Sequence, residues 1–344
     1  MKTKKTIHRF LAMGFAVLTV ARAFSQSPPL VGIQLSASIA ITGTNTGIYS
    51  VQAASHLTDS NGWTCVGLVQ LPATNYIWTD TSKSAAFGER FYRVVQTCTN
   101  MVYILPGTFT MGSPTNEALR GTDETQHVVT LSRGFYMGRF LVTQSEYQAI
   151  TGNNPSISVG PNLPVNDVPW KSATNYCVLR SAKEQAEGLI PTNWVYRLPT
   201  EPEWEYACRA GTTTAFYSGS GIYSGQANFN DTMEYEASIG TITNMNGIGS
   251  IGPVMGGNYT TNNWGLYDMA GNESEWCWDF YGAYPVSIPG AAVIDPQGPP
   301  TGLSGHVLRG GNYQSNGSAC RSAARSNAAA LLPVFSFRVV LAPQ

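Results

Sequence analysis

The apolar residues are distributed in three different ways along the chain. Over residues 10–20 they run almost unbroken, behind Lys2, Lys4, Lys5, His8 and Arg9 and ahead of Ala21-Arg22-Ala23. A basic start, a short apolar core and small residues at a cleavage position predict a secretory signal over residues 1–25, and the core is too short for a permanent anchor. After Pro28-Pro29, short β-rich runs at 39–42, 47–51, 62–66, 76–80 and 90–95 are separated by Gly, Thr and Asn. Strands at this spacing predict a small all-β sandwich module over residues 26–100.

From Met101 the pattern mixes both periods. Residues 102–113 read as a hairpin with Pro106-Gly107 as its turn, and 127–131 as a strand. Thr143 followed by Glu146 reads as a capping box opening a helix. A second helix is predicted over 170–186. A third runs over 202–209, with Thr200 as N-cap, Glu203 three residues on and Gly211 beyond its end. Beyond Gly219 the chain is dense in Gly, Asn and Tyr, and reads as irregular backbone that needs staples, whether disulfides or cations.

Composition narrows this further. Of the 344 residues 43% are hydrophobic, enough for a sizeable core, but only 12% are charged. That is about half the usual charged share and suits an exported, loop-rich protein, secreted or periplasmic. A net charge of -1 and no basic run beyond the N-terminus give nucleic acid no footing. No second membrane segment is present after the signal. The six cysteines, at 65, 98, 177, 208, 277 and 320, form no C-x-x-C pair, so disulfides are favoured over a structural zinc site.

A series of segments in fixed order then carries a resemblance. Pro106-Gly107-Thr108-Phe109-Thr110-Met111-Gly112-Ser113 comes first, then Val142-Thr143-Gln144-Ser145-Glu146-Tyr147 and Arg197-Leu198-Pro199-Thr200-Glu201-Pro202-Glu203-Trp204. Asn263-Trp264-Gly265-Leu266-Tyr267-Asp268-Met269-Ala270-Gly271-Asn272-Glu273-Ser274-Glu275-Trp276 follows, with Arg309-Gly310-Gly311-Asn312-Tyr313, Ala323-Ala324-Arg325-Ser326 and Phe337-Arg338 after it. Residues 101–344 therefore resemble the formylglycine-generating enzyme (sulfatase-modifying factor) family. The resemblance implies an α+β, irregular, C-type-lectin-like fold. Most of the matching residues serve the fold: Arg197 pairs with Glu203 or Glu205, and Gly310-Gly311 lets backbone approach closely.

The family's activity is copper-dependent oxidation of a cysteine in a client protein, carried by two cysteines after the glycine pair. Counted from Gly310, the first of these positions is Ser315 and the second is Cys320. A hydroxyl does not replace a thiolate for Cu(I), so the catalytic pair is degenerate and copper is not expected. Cys320 also suits the family's disulfide with Cys208, and the two roles stay open; Cys65–Cys98 and Cys177–Cys277 are the remaining candidate pairs. An iron branch of the family needs two or three histidine ligands, whereas this domain has His127 and His306, read as surface strand residues without a nearby carboxylate triad.

Oxygen ligands point to a hard cation. Asp268 and Glu275 side chains with the Gly271 and Glu273 carbonyls supply much of a Ca²⁺ shell and match the family's second calcium site. The same charges also suit a salt-bridged turn. The family's first calcium site maps to Asn228, Phe229, Asn246 and Ile248, where an Asn stands for an Asp and weakens it. Trp264, Tyr267, Trp276, Trp278, Tyr281 and Tyr284 line a client cleft or belong to the core. Three functions follow: the family oxidation, a non-catalytic, calcium-stabilised module that binds a peptide or glycan client, or an enzyme of the same fold with altered chemistry.

Overall fold

The computed structural model describes residues 38–42, 48–55, 63–72, 74–80, 91–97, 100–285, 291–302, 304–332 and 335–344, with residue 73 outside them. The expected signal segment and Cys98 lie outside the described residues. The chain divides into two compact units, residues 1–99 with 184–192 and residues 100–183 with 193–344.

In the first unit the β-rich runs form β1 (Ser38–Thr42), β2 (Ile48–Ala54), β3 (Thr64–Gln70), β4 (Asn75–Thr79) and β5 (Phe91–Gln96). β1 pairs antiparallel with β4, and β2 lies between β3 and β5 in an antiparallel sheet of three. Ile41, Tyr49, Val51, Val69 and Leu71 close one core between these sheets.

The second unit runs β6 (Met101–Ile104), β7 (Gly107–Met111), β8 (His127–Leu131), β9 (Phe135–Gly138), α1 (Gln144–Thr151), α2 (Trp170–Ala186), β10 (Trp194–Arg197) and α3 (Glu201–Arg209). It continues with β11 (Gly221–Ile222), β12 (Met233–Glu236), β13 (Gly240–Thr243), β14 (Glu275–Phe280), β15 (Val293–Ile294), β16 (His306–Arg309), a 3-10 turn (Gly317–Cys320), β17 (Arg325–Ala328) and β18 (Val340–Pro343). Three helices beside many short strands make this an α+β fold. The sheets are ordered β10-β18-β9-β6, β15-β8-β7, β14-β16-β17 and β11-β12-β13. Among the described residues no helix is long and apolar enough to cross a membrane.

Local chemistry explains the helix boundaries. Thr143 and Glu146 form the expected capping box on α1, and Thr200 and Glu203 form one on α3. α3 ends at Ala210 in the left-handed conformation, one residue before Gly211. The expected hairpin at Pro106-Gly107 is not formed. β6 pairs with β9 and β7 with β8, so the dipeptide carries the chain from one sheet to the next. Pro and Gly end one strand before the next begins, but strand partners depend on sequence-distant hydrogen bonds that no local pattern encodes.

The main core gathers Met111, Val129, Phe135, Met137, Trp204, Leu266, Met269, Cys277 and Val340 around α3. A second cluster packs Phe216, Ile222, Phe229, Tyr235 and Cys320. Buried ion pairs are threaded through this apolar matter. Arg309 bonds to Glu205, Arg321 lies 2.5 Å from Glu117 and 2.8 Å from Glu124, and Arg338 lies 2.6 Å from Glu275. Each arginine side chain here is at most 3% exposed. Arginine suits this role because its planar fork satisfies carboxylates and carbonyls together.

Candidate functional site

The segment after the glycine pair holds the two positions to which the family resemblance assigns the copper ligands. Gly310 and Gly311 both have positive φ; a Cβ on Gly310 would meet the Trp204 ring at 3.2 Å, and one on Gly311 would meet Cys320 Sγ at 2.7 Å. The glycines are thus the close approach the sequence implied. Ser315 is tied into its own turn. Its Oγ donates to Asn312 Oδ1 at 2.9 Å and accepts from the Asn312 N–H at 3.0 Å, while Asn230 N–H donates to its carbonyl at 2.9 Å. Cys320 closes the 3-10 turn with no exposed surface. Burial pushes its thiol up to about 12, so it carries no thiolate near neutral pH. A hydroxyl held by a neighbour and a sealed, protonated thiol do not fit Cu(I).

The expected Cys208–Cys320 disulfide is not formed, and both thiols are free. Cys208 belongs to the core around α3, with Sγ 3.5 Å from Ser322 Oγ, whereas Cys320 packs in the second cluster against Gly311. Cys177 and Cys277 are also free and buried, and Cys65 is free in the first unit. The even cysteine count suggested pairing, but here thiols behave as small apolar side chains filling cores.

Of the two side chains expected to serve a cation at 268–275, Glu275 is already engaged. Arg338 Nε donates to Glu275 Oε2 at 2.6 Å and its Nη2 donates to Oε1 at 2.7 Å. Trp204 Nε1 donates to the same Oε2 at 3.0 Å. Both Glu275 oxygens are thereby occupied. The Glu273 side chain, as distinct from the carbonyl expected as a ligand, accepts at its Oε1 from Asn166 Nδ2 at 3.0 Å. Gly271 donates its N–H to Gly310 O, serving the turn. Asp268 keeps one buried oxygen, Oδ2, without a hydrogen-bond partner.

At the first mapped site, Asn228 donates to Gly252 O at 3.0 Å and Asn272 Oδ1 at 3.1 Å, and Phe229 is core. Asn246 is exposed and Ile248 fully so. No group of three or more His, Cys, Asp or Glu side chains among the described residues is placed to hold a metal ion.

A different place collects functional-looking chemistry. A small, partly open cleft is lined by His127 at the start of β8, Glu201 opening α3, Asp279 of β14, Tyr284 and Arg325 of β17. Arg325 grips Glu201 with two bonds, at 2.9 and 2.6 Å, and its guanidinium lies over the Tyr284 ring at 4.1 Å. Asp279 Oδ2 accepts the Glu201 N–H at 2.7 Å. Its other oxygen has no partner, and neither does His127 Nε2. Both residues are buried, as is His306, so the histidines are not the surface strand residues expected. His306 stacks on Trp170 at 3.7 Å and serves packing.

The alternation Glu275, Cys277, Asp279 along β14 was a legible signal for Asp279, since every second residue of a strand faces one side. His127 gave none: a strand position alone does not tell which face is covered. Of the six aromatics, Trp276 is core, Trp278 is 42% exposed and Tyr284 lines the cleft.

Three buried carboxyls titrate far from their ordinary range. Burial pushes Asp268 up to about 6 and Glu273 to about 7; burial and the Glu201 charge push Asp279 to about 7. Raised folded-state values mean that the native state holds these protons longer than the unfolded chain. The associated stability is present below the ordinary carboxylate range and is lost as pH rises through about 6 to 7. Urea midpoints are therefore expected to fall between pH 5 and pH 8, on the order of 2 kcal/mol in stability. Asp279→Asn is expected to flatten part of that slope; an unchanged slope refutes its share.

Comparison with known proteins agrees with this architecture. The sequence profile of the sulfatase-modifying factor enzyme 1-like domain matches residues 86–342. The chaperone protein LppX of Paenibacillus barcinonensis is 34% identical over 187 residues, covering 44% of this chain and 64% of LppX. The formylglycine-generating enzyme of Streptomyces coelicolor is 34% identical over 180 residues, 51% of this chain and 51% of that enzyme. The chain thus spans less than two thirds of the length of either relative. The structure of PvdO from Pseudomonas aeruginosa superposes with a TM-score of 0.55 at 26% identity, covering 70% of this chain and 93% of PvdO.

Proposed function

The chain belongs to the sulfatase-modifying factor enzyme 1-like family, and from that premise we propose that it is a non-catalytic member, an exported module that binds a client through the family fold without oxidising it. The observation that carries this reading is Cys320: sealed in the core, its thiol pushed up to about 12, beside a Ser315 already bonded to Asn312. Cysteine oxidation by this family needs two soft ligands that reach the client, and neither position supplies one. The similarity to a protein named a chaperone supports a client-binding role, and the client class is a protein or a glycan. Export rests on the basic, apolar and small-residue order of residues 1–25. In this reading calcium is not required at 268–275, where the Arg338 guanidinium supplies the positive charge.

The test is conversion of a cysteine-containing sulfatase peptide, followed by mass spectrometry with and without added copper. The expected result is no formylglycine product in either condition, and turnover with copper overturns the proposal. Cu(I) titration against a chromogenic chelator is expected to show no competitive binding by wild type. Ser315→Cys is expected to change nothing, because the partner thiol stays buried; copper binding by that variant would show that Cys320 reaches the surface.

A further inference from the structure

The sequence carries no Lys or Arg between Arg209 and Arg309, and the sheet β11-β12-β13 lies within that stretch. Tyr235 of β12 packs into the second core cluster, so its strand neighbours Glu234 and Glu236 belong to the opposite, outer face. Ser224 joins Glu234 to Asp231, donating its N–H to Glu234 Oε1 at 2.7 Å and its hydroxyl to Asp231 Oδ2 at 2.8 Å. Tyr223 donates its hydroxyl to Glu236 Oε2 at 2.7 Å and holds that carboxyl below the usual range. These donors are all neutral. Among the described residues no ion pair joins a cation to any of the three acids, and Arg321, beside the Tyr235 ring, is matched by Glu117 and Glu124. Asp231 and Glu236 reach solvent, and Glu234 adds its charge from just beneath.

Each of these acids has an exposed apolar side chain set beside it. Gly249 donates its N–H to Asp231 Oδ1 at 2.8 Å, and a Cβ on Gly247 would lie 2.6 Å from the Asp231 carbonyl oxygen. Ile248, between these glycines, is thereby held at Asp231, 92% exposed. Asn244 Nδ2 donates to Glu234 Oε1 at 2.9 Å and brings its neighbour Met245, 89% exposed, to that acid. Ile239 donates its N–H to the Glu236 carbonyl at 3.2 Å and is 70% exposed. Apolar side chains scattered singly on a surface are ordinary, but three fixed beside three uncompensated acids make a patterned face. Nucleic acid, an anionic bilayer or the same face of a second copy would bring negative charge against these acids. A glycan brings neither positive charge nor aliphatic side chains. We infer that this face docks a polypeptide segment in which Lys or Arg alternates with aliphatic residues, its cations meeting Asp231 and Glu236 and its apolar groups covering Ile239, Met245 and Ile248.

The inference rests on the client-binding reading and narrows the client to a cationic, apolar polypeptide. The probes are three labelled nonapeptides, built from three repeats of Lys-Leu-Ser, of Glu-Leu-Ser or of Lys-Ser-Ser, titrated with the full chain and read by fluorescence anisotropy. Wild type is expected to bind the Lys-Leu-Ser peptide at least tenfold more tightly than either control. Ile248→Ser removes a side chain that the fold leaves in solvent and is expected to weaken binding at least threefold. Asp231→Asn combined with Glu236→Gln is expected to weaken it at least fivefold, with circular dichroism checking the fold of each variant. No binding, equal affinity for the Glu-Leu-Ser peptide, or full affinity in folded Ile248→Ser overturns the surface. Self-association of the free chain that Ile248→Ser abolishes, read by sedimentation, assigns the face to a second copy and overturns it as well. Conversion of the sulfatase peptide would remove the non-catalytic reading and leave this surface standing, whereas lost peptide discrimination without conversion removes the surface alone.

Discussion

Glu205→Gln is expected to cost the second unit about 3–5 kcal/mol, because it removes one member of a buried charge network and strands the others. The Glu205 side chain has no exposed surface. Its Oε1 accepts from the Gly112 N–H at 2.8 Å and from Arg209 Nε at 2.9 Å, and its Oε2 accepts from Arg309. Burial alone would push this carboxyl up, yet Arg209 and Arg309 hold it below the usual range. Glutamine keeps an acceptor for Gly112 but no charge, leaving Arg209 in the core short of an anion and Arg309 with Glu201, 3.2 Å away, as its remaining carboxylate. The expected loss corresponds to a fall of roughly 10 °C in melting temperature for a unit of this size. Asp123→Asn is the contrast: Asp123 is 32% exposed, 3.6 Å from Arg325, and its loss is expected to cost less than about 1 kcal/mol. Equal losses in both variants, read by urea denaturation, would show that burial does not set the value of these pairs.

This network also marks where the sequence stopped being informative. The capping residues Thr143, Glu146, Thr200 and Glu203 act within one helical turn, so their roles could be read directly from spacing. The Arg197–Glu203 pair, six residues apart, was within reach for the same reason. Arg309 with Glu205, Arg321 with Glu117 and Arg338 with Glu275 join residues 63 to 204 positions apart. No local rule pairs them, so in the sequence each acid is equally suited to another task. Glu275 was assigned to calcium on those grounds. The cysteines misled for the opposite reason: an even count is a property of composition, while the placement of Cys208 and Cys320 in different apolar clusters is a property of packing. The cleft was half legible, with Asp279 on the buried face of a strand pattern and His127 covered by residues remote in sequence.

Glu275→Gln is expected to destabilise the second unit by about 3–5 kcal/mol, while removal of calcium with a chelator is expected to move the wild-type melting temperature by less than about 1 °C. Arg338 is wholly buried and its fork is shared among Glu275, the Gly138 carbonyl at 3.0 Å and the Tyr267 carbonyl at 3.0 Å. It therefore stitches the end of β9, the 267–268 turn and β14 into one piece. Where a cation would draw these groups together, a guanidinium on the chain already does so. Taking the charge from Glu275 leaves Arg338 with Asp268 as its nearest remaining anion. Glu275 is one cause of the raised Asp268 value, so the Asp268 carboxyl is expected to titrate lower in the variant than the about 6 of wild type, a change NMR can follow. The two measurements separate the alternatives. A calcium ion bound only to the native state would raise the melting temperature with its concentration by mass action. A rise of several degrees with added calcium, reversed by chelator, would show that oxygen ligands other than Glu275 assemble in this turn and that the ion pair is not what secures it.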